Sequence, residues 1–101
     1  MHPWGSDVFL NLMATTQQLI EQGEILISKI KKKDIFKLGT VDETLAPPQL
    51  EKLATWIDDV YIHLHDTKYF EDFLIISWVI NGERVSKERI IKIIELLKIF
   101  K

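Results

Sequence analysis

Apolar and small residues recur at alternating spacings of three and four through residues 6–32, a segment without proline. The positions that form this seam are Phe9, Leu12, Thr16, Leu19, Gly23, Leu26 and Ile30. Such spacing keeps side chains on one face of an α-helix, so it predicts a long helix over residues 6–32. Gly23 costs about 1 kcal/mol relative to alanine in a helix interior. Because Gly23 falls on the seam, where a missing side chain lets another backbone approach, we expect a close crossing there.

Residues 34–48 lose the helical period and contain one glycine and a proline pair. This composition predicts a long ordered loop that several apolar side chains hold against the core. Helical spacing then resumes near residues 49–65, where Pro48 suits the first turn of a helix. The seam of this second helix consists of Leu50, Leu53, Ile57, Val60 and Leu64. Trp56 and Tyr61 are expected on its flanks.

The segment 68–81 is apolar on nearly every side and permits two interpretations. Helical spacing continues through it at Phe70, Phe73, Leu74, Ser77 and Ile80. It also reads FLIISWVI followed by Asn81-Gly82, a dipeptide typical of two-residue β-hairpin turns. The residues after that turn offer little alternation, and a glycine just past a helix is an ordinary C-terminal cap. We therefore expect a helix over residues 68–81, with a strand as the alternative.

The last helix is expected near residues 87–100, with Ser86 as its N-cap. Apolar residues leave only Lys92, Glu95 and Lys98 as a narrow polar stripe on this helix. A helix in a small bundle buries about three positions in seven, and this helix offers more. The excess favours contact with a partner.

These patterns together predict an all-α fold, a small four-helix bundle formed by a single helical domain over residues 1–101. The predicted helices lie near 6–32, 49–65, 68–81 and 87–100, and the ordered loop spans 34–48. Residues 1–5 are expected to be disordered or derived from cloning. The last helix has no glycine or proline after it, which is consistent with a natural end or with a piece of a longer protein.

Composition narrows the class of protein further. The chain has 101 residues, 47% of them hydrophobic, and a net charge of -2, whereas intrinsic disorder needs low hydrophobicity with high net charge. The absence of cysteine excludes disulfides, thiolate metal sites and cysteine nucleophiles. No apolar run of membrane-spanning length and no signal peptide is recognisable. We therefore expect a folded, cytoplasmic protein.

The most enzyme-like feature is the group Asp59, His63 and His65, because imidazole and carboxylate together can bind a divalent metal. On a helix Asp59 and His63 lie one turn apart on the same face, whereas His63 and His65 point about 200 degrees apart. A site would therefore need a third ligand, such as Glu71 or Asp72. A solvated helix end is the simpler interpretation. Without a nucleophile elbow or a phosphate-binding glycine loop, we expect no enzyme activity, no catalytic residue and no cofactor.

The basic run Lys31, Lys32 and Lys33 is the weak candidate for nucleic-acid binding, since lysines neutralise backbone phosphates. A DNA-binding regulator would bring this run together with Arg84 and Arg89 on one face. The last helix argues against DNA recognition, because nearly all of its positions are apolar and few of its side chains could bind base edges. A solvated lysine cluster at the end of the first helix is the simpler interpretation.

The remaining excess of apolar surface predicts a non-enzymatic helical module for protein–protein interaction or self-association. A homodimer is the first expectation, with contacts at Phe9, Ile93, Leu97 and Phe100. The alternative is a small bacterial or phage inhibitor, such as an immunity protein or antitoxin, that blocks a partner protein through the acidic stretch 42–72. A DNA-binding regulator ranks below both.

Overall fold

A computed structural model describes residues 15–35, 40–82 and 84–101, which form four α-helices and a small antiparallel sheet. The helices are α1 (Thr16–Lys29), α2 (Pro47–Leu64), α3 (Phe70–Ile76) and α4 (Lys87–Phe100). The strands are β1 (Lys31–Ile35), β2 (Thr40–Thr44), β3 (Ile80–Asn81) and β4 (Arg84–Val85). The mainly helical fold is confirmed, but the prediction of a purely all-α bundle is wrong.

Helix α1 is shorter than the predicted helix over residues 6–32. Thr15 has an extended backbone and caps the helix, since its hydroxyl accepts from the Gln18 N–H and its own N–H donates to Gln18. Residues 6–14 lie outside the described residues. At the other end the helix stops at Lys29, because β1 begins at Lys31. Within these bounds the predicted seam is confirmed, and Leu19, Gly23 and Leu26 are buried.

The predicted loop over residues 34–48 is replaced in part by strand β2, and the lysine run before it forms β1 rather than the end of a helix. The two strands pair antiparallel from Lys31 opposite Thr44 to Ile35 opposite Thr40. In this register Lys32 stands opposite Glu43, and oppositely charged residues facing each other stabilise a strand pair. The two strands are largely polar and show no apolar alternation, so the periodicity of the sequence did not predict them.

The helix predicted over residues 68–81 ends at Ile76, and the hairpin alternative is correct for the rest of the segment. Ile80 pairs with Val85 across a turn in which Gly82 has a φ of 64°. Gly82 therefore serves the turn and does not cap α3. Thr44 pairs with Arg84, so the two hairpins join in the strand order β1-β2-β4-β3.

Helices α2 and α4 agree closely with their predictions. Proline occupies the first turn of α2, and the Ser86 hydroxyl accepts a hydrogen bond from the Arg89 N–H at the start of α4. Trp56, expected beside the seam of α2, lies in the core. Its indole N–H donates to the carbonyl oxygen of Leu19 at 2.8 Å. Of the described helices, none has the length and apolar content needed to cross a bilayer.

The core lies where α1 packs against both α2 and α4. Gly23 sits at this junction, where the side chains of Trp56 and Ile94, rather than the expected neighbouring backbone, fill the space that a Cβ atom would need. The largest fully buried side chains are those of Trp56, Phe73, Leu19, Leu53, Leu64, Ile90, Ile93, Leu97, Val60 and Val79. The core thus draws on all four helices and on the segment that leads into β3.

Candidate interaction surface

The predicted contact residues on the last helix are mostly not on the surface. Ile93 and Leu97 are 0% exposed within the single chain, because α4 packs against α1 and also contacts α3. Their assignment as contacts with a partner is therefore corrected to core residues of this chain. Phe100 is half-buried and packs edge-on against the rings of His63 and Tyr69. Phe9 lies outside the described residues.

The exposed apolar side chains of α3 form the candidate surface. Trp78 is 77% exposed, Ile75 71% and Leu74 42%. Helix α3 buries only one side, around Phe73, so the positions directly after Phe73 point outward. Ser77 keeps helical backbone angles, which carries Trp78 about one turn beyond Leu74. We call Leu74, Ile75 and Trp78 the α3 face.

The backbone beneath the α3 face is held from both sides. Phe73 is buried, and Phe70 packs edge-on against Tyr61 of α2 with ring centroids 5.0 Å apart. After the helix, Val79 is buried and its carbonyl oxygen accepts a hydrogen bond from the Ser86 N–H at 2.8 Å. Trp78 therefore projects from between anchored residues. A surface fixed in this way needs little ordering when it binds a partner.

Opposite charges flank the two ends of the α3 face. Glu71 and Asp72 are exposed in the first turn of α3. At the other end the Arg89 guanidinium donates to the carbonyl oxygen of Ile75 at 3.4 Å. This distribution also suits the helix dipole, which favours anions at the N-terminus and cations at the C-terminus.

The structure does not bring the candidate metal ligands together. The Nε2 atom of His63 lies 2.7 Å from the Thr16 hydroxyl, whereas His65 is exposed and lies beside Asp66. Asp59 lines an open groove of about 750 Å³ between α1 and α2. Among residues 15–35, 40–82 and 84–101, no three histidine, cysteine, aspartate or glutamate side chains form a group that could hold a metal ion.

Burial shifts the pKa of two of these groups. The pKa of His63 falls below its ordinary value because its surroundings disfavour the charged imidazolium. The pKa of Asp59 rises, first because burial disfavours the carboxylate and second because Asp58 carries a like charge. The His63 shift reflects packing between helices, since His63 faces Thr16 of α1 and Phe100 of α4.

The basic residues named as a nucleic-acid candidate are not gathered on one face. Lys31 and Lys32 lie on β1, and Lys33 follows on the same strand in register with Asp42. Arg84 forms an ion pair with Asp42, with Nε and Oδ2 3.1 Å apart. Arg89 lies at the end of α3. The basic side chains that would contact a nucleic acid are thus separated, and Arg84 is paired with Asp42 within the sheet.

Comparison with protein-family models, with curated proteins and with solved structures gives no significant match for this chain. The functional argument therefore rests on its own residues. The sequence analysis placed the contact residues on the last helix and did not single out the α3 face, because the run around it is apolar on nearly every side. The Asn81-Gly82 turn was the available signal, since a turn there ends α3 early and leaves Trp78 outside the core.

Proposed function

We propose that this protein is a non-enzymatic interaction module that self-associates through the α3 face. The observation that carries the proposal is the exposure of Trp78 beside Ile75 on an anchored helix. Contiguous exposed apolar side chains on a folded chain mark interaction sites more often than single scattered ones do. Tryptophan is also the residue type most enriched among contacts that dominate binding energy.

Self-association is favoured because a two-fold axis uses the same surface twice. Fully burying one large apolar side chain contributes about 1.5–3 kcal/mol, and a symmetric dimer would bury the α3 face of both copies. The mechanism is then association itself: the dimer presents two copies of every other surface on the chain. This proposal keeps the homodimer expectation and moves the contact from α4 to α3.

Light scattering at low and high protein concentration tests the proposal on the wild type and on Trp78→Lys. We expect a mass that rises towards that of a dimer for the wild type and stays at that of a monomer for Trp78→Lys. Because Trp78 is exposed, Trp78→Lys should unfold at the same temperature as the wild type when circular dichroism is recorded at a concentration at which the wild type is monomeric.

Ile99→Lys provides the matched control, since Ile99 is a similarly exposed apolar residue on α4. It should dimerise like the wild type. A wild-type mass that remains monomeric at both concentrations would overturn self-association. The inhibitor of a partner protein, acting through acidic residues of α2 and α3, would then be the next proposal to test.

A further inference from the structure

We infer that the α3 face binds a second copy of this chain in one defined orientation, with the two α3 helices antiparallel across a two-fold axis. In this arrangement Glu71 of each protomer faces Arg89 of the other. The inference rests on the proposed function and adds the register and the ion pairs that select it.

Symmetry supplies the first step of the argument. In a two-fold interface each surface meets itself, so the surface must be complementary to its own rotated image. The α3 face has a glutamate near its beginning and an arginine near its end. An axis perpendicular to the helix sets the beginning of one α3 against the end of the other and so pairs opposite charges. An axis parallel to the helix would pair Glu71 with Glu71 and Arg89 with Arg89.

Helix geometry supplies the second step. Glu71 precedes Ile75 by four residues, which places both on the outward side of α3 about 6 Å apart along the axis. Arg89 contacts the backbone of Ile75 through its guanidinium, so its charge lies at the level of that residue. Suppose that the two-fold axis passes midway between the levels of Glu71 and Ile75. The Glu71 carboxylate of each protomer then comes within reach of the Arg89 guanidinium of the other.

The arrangement also agrees with how protein interfaces divide their work. In this register Leu74 and Ile75 would lie near the two-fold axis beside the ion pairs, and the two Trp78 side chains would flank them, each about 7 Å along the helix from the axis. Complementary charges mainly set orientation and suppress wrong partners, whereas a buried aromatic residue supplies most of the affinity. The Glu71 and Arg89 charges therefore select the antiparallel register, and Trp78 holds the copies together.

Charge reversal tests the register, with sedimentation equilibrium to measure the dimer dissociation constant. Glu71→Arg and Arg89→Glu each replace two attractive contacts per dimer by two repulsive ones, because symmetry repeats every change. We expect each single reversal to weaken dimerisation about tenfold. The double variant Glu71→Arg/Arg89→Glu restores opposite charges and should return to within about threefold of the wild type.

Controls separate this effect from damage to the fold. Arg89→Glu places a glutamate three residues after Ser86, the position that completes a capping box, so α4 should remain folded. Glu24→Arg makes the same charge change at an exposed site on α1 and should leave the dissociation constant unchanged. Circular dichroism confirms that each variant is folded before its mass is measured.

The outcomes distinguish the inference from the proposed function. A dimer that Trp78→Lys dissociates, but that neither single reversal weakens, would keep the α3 face as the interface and overturn the antiparallel register. Single reversals that weaken the dimer without rescue in the double variant would overturn the register as well. A wild type that stays monomeric would overturn both. The inference is supported only if each single reversal weakens the dimer and the double variant restores it.

Discussion

A Cβ atom added to Gly23 would lie 2.7 Å from Cζ2 of Trp56, closer than side chains approach in folded proteins. The indole ring is held in place by its hydrogen bond to the Leu19 carbonyl, so it has little room to yield. Gly23→Ala should therefore destabilise the protein by about 1–2 kcal/mol, since crowding outweighs the better helix propensity of alanine. Urea unfolding measures the change, and an increase in stability would contradict the close packing at Gly23.

The same packing predicts a partial rescue. The side chain of Ile94 also approaches the added Cβ, with Cδ1 at 2.9 Å. In an Ile94→Ala background this atom and Cγ1, which also lies 2.9 Å from the added Cβ, are both absent, so Gly23→Ala should cost less than it does in the wild type. A double-mutant cycle on the free energy of unfolding measures the coupling. Additive effects would show that Ile94 does not share the crowded space.

Substitution by phenylalanine should change the free energy of unfolding by very different amounts at the two described tryptophans. Trp56→Phe removes the indole hydrogen bond to the Leu19 carbonyl and opens space in the core, which should cost about 2–4 kcal/mol. Trp78→Phe alters a mostly exposed side chain and should change the free energy of unfolding by less than about 0.5 kcal/mol. Unfolding measured at low protein concentration, where the chain is monomeric, compares them. Equal losses would place Trp78 in the core.

The sequence predicted the elements whose signals were local and periodic. Proline in the first turn, Ser86 as an N-cap and the seams through Leu53 and Ile90 sufficed for α2 and α4. Strand β1 was not predicted because its residues, KKKDI, show no apolar alternation and pair with a strand that lies further along the chain. Two-residue strands such as β3 are too short for any pattern, so the turn at Gly82 was their only local signal.

The candidate surface was harder to predict than the fold. An apolar residue in a sequence gives no direct sign of which side of a helix the core will cover. Ile93 and Leu97 were assigned to an interface and are buried within the chain. Trp78 was not named as a contact residue and is exposed. The decision depends on where neighbouring helices pack, which is a property of the tertiary structure.

Stability should fall as the pH is lowered through the range in which His63 titrates. Burial lowers the pKa of His63 from its ordinary value of 6.5, so the folded state disfavours the proton. Its contribution is fully present above 6.5, the unfolded pKa, and is lost as the pH falls towards the lower folded value. His63→Gln can keep a hydrogen bond to Thr16 and should remove this decline. His65→Gln, at an exposed position, should retain it.

Asp59 acts in the opposite direction at lower pH. Its raised pKa means that the folded state disfavours the carboxylate, so protonation relieves a cost as the pH falls through the folded value towards 3.8. Asp59→Asn should therefore stabilise the protein near neutral pH and lose that advantage in acid. Thermal unfolding across the pH range measures both effects. An Asp59→Asn variant less stable than the wild type at neutral pH would contradict the role of burial.

Gly82→Ala should destabilise the β3–β4 hairpin. A left-handed backbone costs a residue with a Cβ atom about 1–2 kcal/mol, and Gly82 has a φ of 64°. No atom of the described residues lies within 4 Å of the added Cβ, so the cost comes from the backbone rather than from crowding. Gly82→Asn should cost less, because asparagine adopts this conformation more readily. Thermal unfolding compares them, and equal costs would argue against a backbone origin.

The pairing of Thr44 with Arg84 closes a long stretch of chain that contains α2 and α3. The ion pair between Arg84 and Asp42 supports the same junction. Loop-closure entropy grows only slowly with length, so a short pairing is enough to hold both ends of this stretch together. The two hairpins should nevertheless differ in how readily each one unfolds locally. Amide protons of β3 and β4 should exchange with solvent well before those of β1 and β2, which makes the sheet two units that unfold in sequence.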